Sequence, residues 1–147
     1  MSNSLFKIVI WITVRLYRLT NGRFGGRMMS LPVLLLTTTG RKSGKQRIIP
    51  IAYLTDGPNY VLTASAFAVL NRAPGWYLNL KSHPRATVQA KAVRQQVIAK
   101  VAEAEERGRL WPQLLEIAPG YGEYQKRLNR EIPMLILQPL DPSQEHN

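Results

Sequence analysis

The sequence contains no cysteine. Disulfide staples, thiolate metal sites and cysteine nucleophiles are therefore excluded, and the redox compartment is left open. Only two histidines occur, His83 and His146, the second in a polar tail. A histidine-rich metal centre or a Ser-His-Asp triad would have to use His83, and no metal-ligand spacing surrounds it. Before Asp56 there is no acidic residue at all. In the opening segment the uninterrupted apolar run is only Ile8 to Ile12, or to Val14 if Thr13 is admitted. A membrane span needs about 20 such residues. A signal peptide also fits poorly, because Arg15 and Arg18 fall where the apolar region should continue.

What is present is a chain of 147 residues, 45% apolar, with 20 Lys and Arg against nine Asp and Glu. That length and composition suit one domain with a buried core. The charge is uneven. Residues 1–55 carry nine basic groups and no acid, a balance of +9; residues 56–147 carry eleven basic groups against nine acids, a balance of +2. Such a field attracts phosphates, acidic cofactor tails, nucleic acid or an anionic membrane face.

Ser4 to Thr20 reads as an amphipathic helix. At helical spacing its cations Lys7, Arg15 and Arg18 fall within an arc of about 80°. Two readings stand: a helix packed on the domain core, or an interfacial helix with Trp11 and Tyr17 at headgroup level. The expected division is residues 1–20 as this helix, 21–140 as the main domain and 141–147 as a tail. After a glycine-rich connector, strands are expected over Pro32–Thr38, Arg47–Thr55 and Tyr60–Ala64, separated by turns at Thr39–Lys45 and Asp56–Asn59. Gly75 to Lys81 reads as a short helix ended by His83-Pro84. Two more strands follow, Arg85–Ala90 and Gln96–Ala102, around a turn near Lys91. Glu103 to Ile117 is helical, with its acids early, and Pro112 calls for a break or a fresh helix start. Tyr121 to Arg130 reads as another helix and Pro133 to Leu137 as a last strand. The fold class is mainly β (α+β): a small split β-barrel of about six mostly antiparallel strands with short flanking helices.

The richest chemistry lies in Thr37-Thr38-Thr39-Gly40-Arg41-Lys42-Ser43-Gly44-Lys45-Gln46-Arg47. Two glycines permit a tight turn with exposed N–H groups, four cations surround them, and hydroxyls flank the turn. This is the chemistry of an anion cradle. It is not a Walker A loop, since only three residues separate the glycines and Gln46 follows Lys45. The bland alternative is a hairpin loop with solvated charges. Nothing singles out a carboxylate pair for acid–base work. An enzyme of this composition would leave the hard chemistry to a bound cofactor.

That motif, with Leu34-Leu35-Leu36 before it and Pro50, Tyr53 and Asp56-Gly57 after it, resembles the deazaflavin-dependent nitroreductase family. So do Ala64-Ser65, Pro74-Gly75-Trp76-Tyr77-Leu78-Asn79-Leu80, and the closing Tyr121, Tyr124-Gln125 and Arg130-Glu131-Ile132-Pro133. Upstream, Tyr17-Arg18-Leu19-Thr20-Asn21-Gly22-Arg23 fits as well. The likeness covers about residues 14–140. It implies a split barrel that binds the reduced 8-hydroxy-5-deazaflavin coenzyme F-420 and passes its hydride to a quinone, an activated alkene or a nitro compound. It further implies that Arg41, Lys42, Ser43 and Arg47 hold the coenzyme's phosphate and glutamate tail. Ser65 would face the ring, and Trp76 and Asn79 would support the pocket wall. Tyr53, Tyr121 and Tyr124 would face the substrate, where a phenol could polarise an acceptor oxygen.

Two positions depart from the family pattern: no glycine pair follows Ser65, and Ala118 stands where some members place a tyrosine. Plainer roles are also open. Trp76 and Tyr77 could be core aromatics, Tyr121 and Tyr124 share a helix face that could pack on the barrel, and Asn79 could simply end a helix. FMN is the rival cofactor. A basic nucleic-acid-binding module is the non-enzymatic rival, although the cations lack interleaved aromatics that would stack on bases, and no nucleic-acid partner is expected. An anionic membrane surface reached through residues 4–20 is a third reading, compatible with the first. The expected location is cytoplasmic, or peripheral on the inner membrane face, as a monomer or homodimer.

Overall fold

The computed structural model describes residues 3–23, 25–28, 30–66, 68 and 71–141, without the side chains of Asn3 and Met28. Phe67, Val69 and Leu70 of the stretch after Ser65, and the tail residues 142–147 with His146, lie outside the described residues. The elements run α1 (Asn3–Thr20), β1 (Arg27–Met28), β2 (Leu31–Thr39), β3 (Gln46–Ala52), β4 (Leu54–Asp56), β5 (Asn59–Thr63), α2 (Gly75–Ser82), β6 (Arg85–Ala90), β7 (Val93–Val101), α3 (Ala104–Ile117), α4 (Gly120–Lys126) and β8 (Met134–Pro139).

Every strand pairing is antiparallel. Hydrogen-bonded neighbours run β2-β6-β7-β8-β5-β4, and β3 pairs with β2. A single residue, Tyr53, separates β3 from β4, and its N–H donates to the Pro32 carbonyl at 3.0 Å. The expected second strand, Arg47 to Thr55, is therefore two strands with a corner between them. The first half pairs with β2 and the second with β5, so this one stretch of chain closes the ring. That geometry is the split barrel expected from the sequence, with the two-residue β1 added at the edge of β2.

β2 is buried on both faces, which explains its nearly continuous apolar run. Leu34 and Leu36 point into an inner cluster with Leu62, Val88, Val97, Leu135 and Leu137 from four other strands and Leu80 from α2. Leu31, Val33 and Leu35 face the opposite way, against Val14 and Tyr17 of α1, Leu110 and Leu114 of α3, and Tyr121 of α4.

α1 is seated at its C-terminal end. Tyr17 is 0% exposed; its hydroxyl donates to the Val33 carbonyl and accepts the Lys91 N–H, both at 2.8 Å. Gly22 closes over the ring at φ +82, where a Cβ would lie 3.1 Å from the Tyr17 hydroxyl and 3.2 Å from the Lys91 Cα. Tyr17 is thus not at headgroup level: burial and two hydrogen bonds hold it in the protein. Trp11, by contrast, is 60% exposed.

Three boundaries differ from the sequence expectations. α3 runs straight through Pro112. One missing N–H is outweighed by Leu110 and Leu114, fully buried on either side, and by a reciprocal capping box between Glu103 and Glu106. α4 stops at Lys126, not Arg130, because the Gln125 side chain takes over the backbone pairing: it donates to the Arg130 carbonyl at 2.7 Å and accepts the Ile132 N–H at 2.8 Å. β7 begins at Val93, since Lys91 and Ala92 make a two-residue turn with Lys91 at φ +55.

Candidate functional site

The glycine-basic motif forms the β2–β3 turn, and its register is fixed by the ladder from Val33↔Ala52 to Thr39↔Gln46. The Gly40 N–H donates to the Lys45 carbonyl at 2.7 Å and the Gly44 N–H to the Gly40 carbonyl at 2.8 Å. Gly44 adopts φ +71. A Cβ on Gly40 would lie 2.7 Å from the Ser43 hydroxyl and 3.2 Å from the Lys45 carbonyl, so a side chain there would displace the serine and press on the turn.

Asn79 of α2 holds this turn from beneath. It is 5% exposed. Its Oδ1 accepts both the Arg41 backbone N–H at 3.1 Å and Arg41 Nη1 at 3.2 Å. Its Nδ2 donates to Thr38 Oγ1 at 3.1 Å. Asn79 is therefore more than a helix-end residue: α2 presents one amide that fixes both the end of β2 and the first cation of the turn.

Beside the turn opens a hollow of about 1000 Å³. Arg41, Lys42, Ser43 and Arg47 line one side of it, with Trp76 and Asn79 of α2. Six of the seven expected cofactor-binding residues thus meet in one place. The seventh, Ser65, lies just outside the lining, and its neighbour Ala66 takes the wall position. Sequence reasoning missed Arg72, which adds a fourth cation to the lining. Its signal was a lone basic residue two places before Pro74-Gly75-Trp76. Also missed were Phe6 and Ile10 of α1 and Ile49 and Pro50 of β3, which line an apolar side.

Among the described residues no Asp or Glu lines the hollow. The acids with shifted titration lie elsewhere and are paired. Asp56 accepts a two-pronged hydrogen bond from Arg109 at 2.8 and 3.0 Å, which lowers its pKa. Glu106 is lowered by Lys100 at 2.9 Å and by the Glu103 N–H. Among the described residues no group of acids and histidines could hold a metal ion. His83 caps α2 through its backbone, donating to the Asn79 carbonyl at 2.7 Å.

The three expected substrate-facing tyrosines are not brought to this lining. Tyr53 packs edge-on to Tyr60 with ring centroids 5.5 Å apart. Tyr121 packs edge-on to Tyr124 at 5.8 Å, beside buried Ala118. Burial raises the phenol pKa of both Tyr53 and Tyr121, with neighbouring tyrosines adding to it. Both stay protonated at neutral pH, so each can act only as a neutral hydroxyl there.

A concave site with four cations, no carboxylate and an apolar side suits a ligand that is anionic at one end and flat and apolar at the other. A deazaflavin with a phosphate and glutamate tail has that form, and the residues present fit it. Among known proteins, the family model for the F420H(2)-dependent quinone reductases matches residues 10–139. The F420H(2)-dependent quinone reductase Rv1261c of Mycobacterium tuberculosis (strain ATCC 25618 / H37Rv) is 39% identical over 126 residues, covering 83% of this chain and 84% of that protein. The solved F420-H2 dependent reductase FDR-A superposes with a TM-score of 0.67 at 36% identity, over 73% of this chain and 94% of that one. A second solved chain, described as a domain-swapped dimer, gives 0.68 at 34% identity over 87% and 97%. The chain belongs to the F420H(2)-dependent quinone reductase family.

Proposed function

We propose that this protein is an oxidoreductase that binds reduced coenzyme F-420 in the β2–β3 hollow and delivers its hydride to a quinone. The observation that carries this reading is the acid-free cluster of Arg41, Lys42, Arg47 and Arg72 around one cavity that also has an apolar side. When bound, the coenzyme supplies the hydride chemistry. The chain supplies grip and orientation. Arg41, Lys42, Ser43 and Arg47 bind the anionic tail, the guanidinium groups by paired N–H donors and the lysine as a point charge. Asn79 positions Arg41 and does not itself need to touch the ligand. Trp76 and Ala66 bound the space for the ring. Tyr53, Tyr121 and Tyr124 lie off that space, so a role for them in polarising an acceptor oxygen would require the acceptor to extend beyond it. Gathering of the cations about a hollow favours a small polyanion over a nucleic-acid duplex.

Fluorescence titration with the deazaflavin, followed by quinone addition to the reduced complex, tests the reading. Saturable binding and quinone-dependent loss of the reduced form are expected. Tighter binding of FMN than of the deazaflavin, or no binding of either, would overturn it.

A second reading concerns location and adds to the first. α1 exposes Leu5, Ile8, Val9, Trp11 and Ile12, and its only charges are Lys7, Arg15 and Arg18. This combination favours docking on an anionic membrane surface. No helix among the described residues is long and apolar enough to cross a membrane. Cosedimentation with vesicles containing an anionic lipid, lost on Ile8→Glu with Trp11→Glu, is the expected result. Light scattering of the same samples separates this from a second copy covering α1.

A further inference from the structure

α1 carries a stripe at helical spacing: Phe6, Ile10, Val14 and Tyr17. The burial of this stripe is graded along the helix. Tyr17 is fully enclosed and Val14 is 7% exposed, Ile10 is half-buried, and Phe6 is 56% exposed. The reason is what lies beneath. Val14 and Tyr17 rest on the outer core with Val33 and Leu35. Ile10 touches the edge of that core and also lines the hollow, while Phe6, beyond the core, lines the hollow. Along β3, which α1 contacts, the lining changes from Arg47 to Ile49 and Pro50, an advance of about 7–10 Å along the strand. The cavity therefore has a cationic end at the β2–β3 turn and an apolar end beneath the first half of α1.

We infer that this apolar end is the acceptor subsite, and that Phe6 and Ile10 select quinones bearing an apolar substituent by burying that substituent against α1. This rests on the function proposed above and goes one step further. The cationic turn is assigned to the coenzyme tail and the space beside Trp76 and Ala66 to its ring, so the part of the hollow under Phe6 and Ile10 is left for the acceptor. An acceptor's hydrocarbon chain is the chemistry that would complete the burial of a stripe the protein leaves unfinished. Phe6 and Ile10 are specificity residues here, with no part in hydride transfer.

The test uses the full chain in lipid-free buffer, with naphthoquinones carrying no, one or two isoprene units. Wild-type protein must first oxidise the reduced coenzyme with the unsubstituted quinone; failure there defeats the proposed function, not this inference alone. Given that activity, KM should fall with each added isoprene unit. In Phe6→Ala with Ile10→Ala the KM for the two-unit quinone should rise about tenfold, as expected for losing large apolar contacts. The KM for the unsubstituted quinone should rise less, so that the KM ratio between the two quinones narrows. Phe6→Leu should restore most of the lost preference, and Ile8→Ala, on the outward side of α1, should leave it intact. Phe6→Ala alone, at a largely exposed position, guards against misfolding of the double variant, with thermal melting as its control. An unchanged dependence on chain length overturns the inference. So does a loss confined to coenzyme affinity, which would give the wall to the coenzyme.

Discussion

The carboxamide oxygen of Asn79 accepts two hydrogen bonds from Arg41, one from its backbone N–H at 3.1 Å and one from its guanidinium at 3.2 Å. This places the first cation of the turn under the control of a helix 38 positions further along the chain. Replacing Asn79 by Ala leaves the Arg41 N–H and the buried Thr38 hydroxyl without these partners. Each orphaned group costs about 1–3 kcal/mol, so the melting temperature should fall. Coenzyme affinity should fall further than kcat, because the change acts through Arg41. Titration of Asn79→Ala with the deazaflavin, beside a thermal melt, checks both.

Arg72 lines the hollow and is exposed. Arg72→Ala should weaken coenzyme binding about tenfold, the scale of one charge-assisted contact, with no change in melting temperature. Arg41→Ala with Lys42→Ala should weaken it more. The salt dependence of the Kd should become shallower in each variant. Equal affinity at all salt concentrations would remove Arg72 from the site.

Tyr17 makes two buried hydrogen bonds that Phe cannot make. Tyr17→Phe strips the Val33 carbonyl and the Lys91 N–H of a partner, which costs about 1–3 kcal/mol for each group left buried. A melt should show the loss without a change in coenzyme Kd. Gly22→Ala should be as harmful, since φ +82 and the 3.1 Å approach to Tyr17 both oppose a side chain.

Asp56 has a folded pKa held below its ordinary value of 3.8, chiefly by the Arg109 hydrogen bonds. The sign follows from linkage: the pairing contributes stability above the unfolded value, and that contribution disappears as pH falls through the lower folded value. Asp56→Asn should therefore melt at a lower temperature than wild type at pH 7, and at the same temperature near pH 2. The effect should be small and reduced by salt, because Arg109 is a surface group.

Tyr53→Phe should keep kcat within about twofold, because a phenol off the cavity wall has no hydrogen bond to give the reacting atoms. Stopped-flow oxidation of the reduced coenzyme decides. A loss of a hundredfold would bring the acceptor to Tyr53 and restore the role that the family resemblance suggested.

The strands around the site were legible because their signals are local. Glycines at 40 and 44, the apolar run before them and the Asp56–Asn59 turn place β2, β5 and the outer bounds of the β3–β4 stretch within a residue or two. The cation wall was legible for the same reason, being mostly one contiguous stretch. What could not be read was anything set by partners distant in the chain. Tyr53 breaks a strand because its N–H is taken by Pro32. Pro112 survives inside a helix because Leu110 and Leu114 are anchored in the outer core. Phe6 and Ile10 reach the hollow only once α1 is folded against β3, and no pattern in their own neighbourhood announces that. The tyrosines illustrate the reverse: spacing put Tyr121 and Tyr124 on one helix face, but whether that face meets core or cavity is decided by tertiary packing.

The Tyr17 hydroxyl is bonded to Lys91, 74 positions downstream. During synthesis α1 leaves the ribosome well before the hairpin turn that will receive it, and closing so long a loop is a late event. α1 is thus made well before its seat is complete, and until then the ring of Tyr17 has no enclosure.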